Sequence, residues 1–320
     1  MLCRLSQKIA ACRWAQLPAA SARSAKFRLD RRISAFYRNH LLTSTILARA
    51  FPFRQPPILL ISYPRSGSSW IGKMLSFSPD LAYLREPVHQ AFQTRYQVQA
   101  LLDPEDKRPT LCCHRHFDEP MLEYYLWCAD RAFQGIVPPE PAEVLDNDGD
   151  FRFLARRCKT LLIKEVNPLM TEYFVRRYAP RTVVILRHPA AVADSFLRLG
   201  WLEDDILEDF GYLYGVHLQE AIEAARSGWS SVMEYEDFAK QPEEHFSRLI
   251  ATLGVRQPID FSRIIANYCS HRENSDHPYD IRRSSLHEVD KWQQNLSSVQ
   301  AEAVMRGYSR SKLAHYRQGA

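Results

Sequence analysis

Two short constellations in this chain carry residue types suited to holding a multiply charged anion. In the first, Arg65, Ser66, Gly67, Ser68, Ser69 and Trp70 follow the apolar run Ile58-Leu59-Leu60-Ile61. A small, polar, glycine-containing turn exposes successive backbone N–H groups, and a helix starting there adds the positive end of its dipole. With the Arg65 guanidinium beside them, these donors suit an anion of two or more charges. In the second, Arg187 and Ser195 stand eight residues apart in RHPAAVADS, after the apolar run Thr182-Val183-Val184-Ile185-Leu186. An always-charged guanidinium and a hydroxyl can share one set of phosphate oxygens.

What these turns lack narrows the chemistry. A nucleoside triphosphatase loop reads G-x-x-x-x-G-K-S/T, with the Lys on the β- and γ-phosphates and the hydroxyl on magnesium. Here Arg65 precedes the glycine, and Gly72-Lys73 is followed by Met74, which cannot ligate magnesium. The run ending at Leu186 continues into Arg187-His188-Pro189, where a magnesium enzyme of this class carries an Asp. The expectation is a donor whose phosphates are neutralised by Arg and backbone amides, with no metal.

The elements that must position these residues follow from period and punctuation. A strand over 58–62 and a helix over 68–77 form a first βα unit, and 81–84 is a short strand ending at Arg85-Glu86-Pro87. The stretch from about 88 to 157 is irregular and helix-rich, and is expected to be a helical insertion that contributes to the acceptor site. A strand over 160–166 leads through Asn167-Pro168 into a helix to about Tyr178. The strand before Arg187 is followed by a helix with Pro189 as its first residue. A long amphipathic helix over 204–226, a strand over 230–235 and a helix over 242–253 come next, and Ser297 with Gln300 forms a capping-box pattern before a last helix. Alternating strands and helices predict a three-layer α/β/α domain with a central parallel sheet and ligands at the strand carboxyl ends.

Composition fits one globular domain over 51–320. The 320 residues are 46% hydrophobic and 25% charged, enough to bury a substantial core. The 7 Cys lack C-x-x-C spacing and read as reduced thiols in a cytosol-like compartment. Residues 1–50 hold ten Lys/Arg against one acid, Asp30, a net of +9, so that 51–320 carries −4 of the total +5. This basic leader reads as a transit peptide, a peripheral membrane contact, or a solvated arm without a role. No run of 18 apolar residues occurs, so no transmembrane segment is expected, and nothing points to nucleic acid.

On three separated features the chain resembles the sulfotransferases that use 3′-phosphoadenosine 5′-phosphosulfate. SYPRSGSSW, from Ser62 to Trp70, resembles that family's loop for the 5′-phosphosulfate, with Arg65 where many cytosolic members have Lys. Arg187 with Ser195 resembles its clamp on the 3′-phosphate. The basic stretch Arg282-Arg283-Ser284-Ser285 ahead of Lys291-Trp292 resembles, more weakly, the C-terminal element that closes over the donor. The resemblance implies a P-loop-like sulfotransferase fold, that donor as co-substrate, and donor contacts from Arg65, Ser66, Gly67, Ser68, Ser69, Trp70, Arg187, Ser195, Arg282 and Arg283.

Sulfuryl transfer further needs a base for the acceptor hydroxyl and a cation for the leaving oxygen. Glu86, 21 residues after Arg65, is the candidate base, at a position where carbohydrate-sulfating members of the resembled family often place a Glu. Its other reading is a helix N-terminal acid before Pro87. Lys164 resembles a family Lys near the donor and would act with Arg65 on the leaving oxygen; it also reads as the polar exit of a strand together with Glu165. His89, His114 and His116 are competing bases. Phe92, Tyr96, Tyr124, Tyr125, Trp127, Trp201, Tyr212 and Tyr214 supply aromatic faces for an acceptor, with most expected in the core. Arg65 and Glu86 tilt the acceptor toward a saccharide or other alcohol. A metal-dependent kinase and a catalytically silent nucleotide-binding protein stay open as alternatives.

Overall fold

The structure is a computed structural model that describes residues 46, 48–89, 119–136, 148–255, 259–268 and 289–314. Strand β1 (Ile58–Ser62) is buried along its whole length and leads into helix α1 (Ser68–Ser76). Strand β2 (Leu81–Arg85), helix α2 (Glu119–Phe133) and the short α3 (Phe153–Arg156) precede strand β3 (Thr160–Glu165). A 3-10 turn and helix α4 (Thr171–Tyr178) then lead to strand β4 (Arg181–Leu186) and helix α5 (Pro189–Arg198). Helix α6 (Leu207–Ala225), strand β5 (Ser230–Glu234), α7 (Tyr235–Lys240), α8 (Pro242–Thr252), α9 (Phe261–Tyr268), α10 (Trp292–Asn295) and α11 (Ser298–Ser309) complete the described chain.

The five strands form one sheet in the order β2-β3-β1-β4-β5, and every pairing is parallel. Near-continuous apolar runs are what such strands need, because helices cover both faces. Alternation along each strand divides the core in two. Leu59, Ile61, Leu161, Ile163, Val184 and Leu186 pack with residues of α2, α4, α5, α6 and α11. Ile58, Leu60, Leu162, Val183 and Ile185 pack with residues of α1, α7, α8 and α9. The expected three-layer α/β/α architecture is the one observed.

Two boundaries differ from those the sequence predicts. The expected helix over 204–226 is a 3-10 turn, Asp204–Ile206, followed by α6. The end of β5 passes at once into α7, which the sequence reading left out. The capping box holds: Ser297 Oγ accepts from Gln300 N at 3.2 Å, and Gln300 Oε1 accepts from Ser297 N at 2.9 Å. From the stretch 88–157, α2 lends Tyr125, Cys128, Ala129 and Ala132 to the core. Residues 90–118, 137–147 and the leader up to residue 45 lie outside the described residues. Among the described residues no helix is long and apolar enough to cross a membrane.

Candidate active site

Because all five strands are parallel, their carboxyl ends share one edge, and chemistry-bearing residues follow each of them. After β1 the chain turns through Arg65 and Gly67, both left-handed at φ 66° and 78°. Ser62 Oγ and Ser68 Oγ lie 2.7 Å apart across the base of the turn and tie the strand end to the first residue of α1. Gly67 is the N-cap of α1, which has no side-chain cap and no acid in its first turn. Its first N–H groups therefore face the loop as an anion site does. A Cβ at Gly67 would run into the Tyr235 ring, so the glycine serves both its backbone angle and a close approach. Ser66 Oγ is buried with no partner among the described residues. An orphaned hydroxyl beside an uncapped helix start fits a phosphate-bearing ligand.

The second constellation closes onto the first. Arg65 Nε donates to Ser195 Oγ at 2.9 Å, and Arg187 Nη1 donates to the Arg65 carbonyl at 2.8 Å. Residues 122 and 130 positions apart in sequence are thus one cluster. Arg187 is held from two further directions. Its N–H donates to Tyr214 Oη at 3.1 Å, and its guanidinium lies 4.8 Å from the Tyr235 ring centre. The next residue, His188, donates its N–H to Glu236 at 2.7 Å and stacks on Trp292 with ring centres 4.5 Å apart. Asn295 bonds the buried Asp194 at 3.0 Å and fastens α10 to α5. Tyr235 and Glu236 escaped the sequence reading. The structure ends β5 at Glu234 and so sets both just past a strand, as Arg187 is, whereas the sequence placed Tyr235 inside the strand.

A third cluster stands at the ends of β2 and β3. The register pairs Arg85 with Lys164, which sets Glu86 beside the β3 end. Lys164 Nζ binds the Glu86 carboxylate, and the Glu86 N–H donates to the Lys164 carbonyl at 2.6 Å. Glu86 is left-handed at φ 51°, an uncommon conformation for a non-glycine residue and one found at functional corners. Burial pushes its carboxyl up, but Lys164, His89 and Arg85 together outweigh burial and hold it at about 2. Lys164 and Glu165 are 2% and 0% exposed, so they are not a solvated strand exit. Burial pushes the Glu165 carboxyl up to about 8; the Glu86 charge adds to the rise, while N–H donation from Val88 and the Lys164 charge oppose it.

Other expected residues fall elsewhere. Trp70 is buried, its ring packed edge-on against Tyr235 and Phe246, and so forms the wall behind the loop. His89 is buried close to Glu86. Tyr125 and Tyr214 are core, whereas Trp127 and Tyr212 are exposed and carry Arg131 and Arg310 over their rings. Phe92, Tyr96, His114, His116, Arg282 and Arg283 lie outside the described residues.

The family model of the sulfotransferase family matches residues 56–259, a span that holds all three clusters. No curated protein matches the chain in sequence. Among solved structures, the chain is similar to the sulfotransferase domain of the Synechococcus PCC 7002 olefin synthase, at 15% identity over 80% of this chain and 95% of that one, TM-score 0.47. It is similar also to mouse sulfotransferase SULT7A1, solved with PAP, at 15% identity over 86% of this chain and 94% of that one, TM-score 0.47. A retinol dehydratase solved with retinol and PAP matches at 13% identity over 82% and 84%, TM-score 0.43. With its family model covering well over half of its length and the Arg65 loop, Arg187 with Ser195, and the Glu86–Lys164 pair all inside that span, this chain belongs to the sulfotransferase family.

Proposed function

We propose that this protein moves the sulfuryl group of 3′-phosphoadenosine 5′-phosphosulfate to a hydroxyl of a carbohydrate or other alcohol, by in-line transfer without a metal. The observation that carries the reading is the joining of Arg65, Ser195 and Arg187 into one cluster on the edge that also carries the Glu86–Lys164 pair. The loop N–H groups, Ser66 and Ser68 would hold the 5′-phosphosulfate, and Arg187 with Ser195 the 3′-phosphate. Arg65 touches both halves and would orient one against the other.

In the reaction the acceptor oxygen bonds to sulfur while the bond from sulfur to the bridging oxygen breaks, and the bisphosphate leaves with the electron pair. Glu86 takes the acceptor proton, and Lys164 and Arg65 offset the charge that grows on the bridging oxygen. Without donor, Lys164 neutralises Glu86 and keeps it a weak base. As Lys164 turns toward the bridging oxygen, Glu86 loses its partner but stays buried, so its proton affinity rises when a base is needed. Arg65 in the loop and a carboxylate base support an alcohol over a phenol as acceptor.

The test is transfer of labelled sulfate from the donor into cell extract, with identification of the product, alongside calorimetry with adenosine 3′,5′-bisphosphate. Labelled alcohol or saccharide together with tight binding supports the reading. Tight binding with no transfer to any acceptor makes the protein a silent binder, and turnover of ATP with magnesium makes it a kinase.

A further inference from the structure

Glu165 is fully buried at the end of β3, and the reaction described above does not use it. It follows Lys164, so alternation sends the two side chains to opposite faces of the sheet. Lys164 lies on the face of Leu162 and α1, and Glu165 on the face of Ile163, Val88 and α2. Both reach the same corner. On one side Lys164 holds Glu86 through its ammonium and its carbonyl. On the other, Glu165 Oε1 accepts the Val88 N–H at 2.7 Å, and the His89 N–H also donates to this carboxyl.

Residues 87–89 are helical. Pro87, first in that turn, has no N–H, so Val88 and His89 bear the first donors needing a partner. Glu165 therefore supplies from a neighbouring strand what an N-cap side chain supplies locally. Its other oxygen, Oε2, is buried with no partner among the described residues. An unpaired buried anion is costly, which favours the neutral acid there.

The charged groups acting on Glu165 are Glu86 and Lys164, while His89 and Arg85 act on Glu86. From the other elements packed on this end of β3, α2 brings Tyr125 and Cys128, and β1 brings Ile61, the register partner of Glu165, followed by Tyr63. As a neutral acid Glu165 leaves the Lys164 charge to Glu86. Once ionised, it sets a second carboxylate beside Glu86, and the two divide one ammonium.

We propose that Glu165 is a positioning residue for the Glu86–Lys164 pair, holding the 87–89 turn from the far face of β3 and setting, by its own protonation, how firmly Glu86 holds Lys164. This rests on the reading of Glu86 as the base. Protein labelled with 13C at the Glu carboxyls would be titrated by NMR from about pH 5 to about 10, with Glu86 assigned from Glu86→Gln. The expected result is a Glu165 signal that titrates near pH 8 and a Glu86 signal, ionised throughout, that shifts in the same step. Glu165→Gln keeps an oxygen for the Val88 N–H and should remove that step from Glu86. A Glu86 signal flat through the Glu165 step, or a Glu165 ionised over the whole range, overturns the proposal. The wild-type titration decides this even if the variant fails to fold. Labelled-sulfate transfer by Glu86→Gln separates the two readings: full transfer with the coupled step intact in the wild type removes the base assignment alone, and lost transfer with a flat wild-type Glu86 signal removes this proposal alone.

Discussion

The β1–β4 side of the carboxyl edge and the β2–β3 side hold charge in different ways. On the first, Arg65 and Arg187 bond to a hydroxyl and a backbone carbonyl, and the helix start beside them has no side-chain cap. On the second, an ammonium is already bonded to a carboxylate, with another carboxylate behind it on the opposite face of the sheet. The first side suits an anion brought from outside. The second keeps its charges matched, and the proposed reaction would work by unmatching them. A cradle made of backbone angles should therefore respond to substitutions as a change in affinity or stability, and a side-chain pair as a change in rate and pH dependence.

The largest effect should come from the second side. Glu86→Gln is expected to lower labelled-sulfate transfer by about 10²- to 10⁴-fold while leaving bisphosphate affinity unchanged in calorimetry. Full activity in this variant would move the base elsewhere and end the contrast. On the first side, Arg187→Ala should weaken the bisphosphate by about 10- to 100-fold, the cost of a charge-assisted bond; unchanged affinity would show that Arg187 only braces the Arg65 loop.

Gly67→Ala sharpens the claim that the cradle is backbone. At φ 78° and against the Tyr235 ring, the added methyl should cost about 1–3 kcal/mol in denaturant unfolding, with bisphosphate binding reduced as the loop shifts. A stable, fully binding variant would mean the loop geometry is not what holds the ligand.

The smallest change per step is in stability against pH, at most about 1.4 kcal/mol per pH unit for one proton. The folded value of Glu86, about 2, lies below its ordinary 4.5, so its contribution is present above about pH 4.5 and lost as pH falls toward 2. Glu165 runs the other way: raised to about 8, its contribution is full below about pH 4.5 and declines as pH rises toward 8. Denaturant midpoints across this range should show both limbs, with Lys164→Met removing the acid limb and Glu165→Gln flattening the alkaline one.

Legibility in the sequence followed how local each feature is. The loop at Ser62 to Trp70 was readable because strand, turn and helix start are contiguous, and Arg187 with Ser195 because one strand end and one helix carry both. Glu86 and Lys164 could be named singly. Their pairing needs the register that sets Arg85 beside Lys164, a contact between strands 78 residues apart. Glu165 read as a polar strand exit because nothing near it in sequence announces the turn it caps, and Tyr235 read as a strand residue because α7 starts without a capping signal.

By itself the sequence determined the three-layer α/β fold, through the period of its apolar runs, and the strand, glycine turn and helix start of the β1 loop, through residue types that act within a few positions of one another. Only the tertiary structure decided that Arg65 bonds Ser195, that Glu86 is held by Lys164, and that Glu165 grips the same corner from behind. Those contacts depend on strand order and register, which arise from packing both faces of the sheet at once and leave no trace in any single stretch of chain.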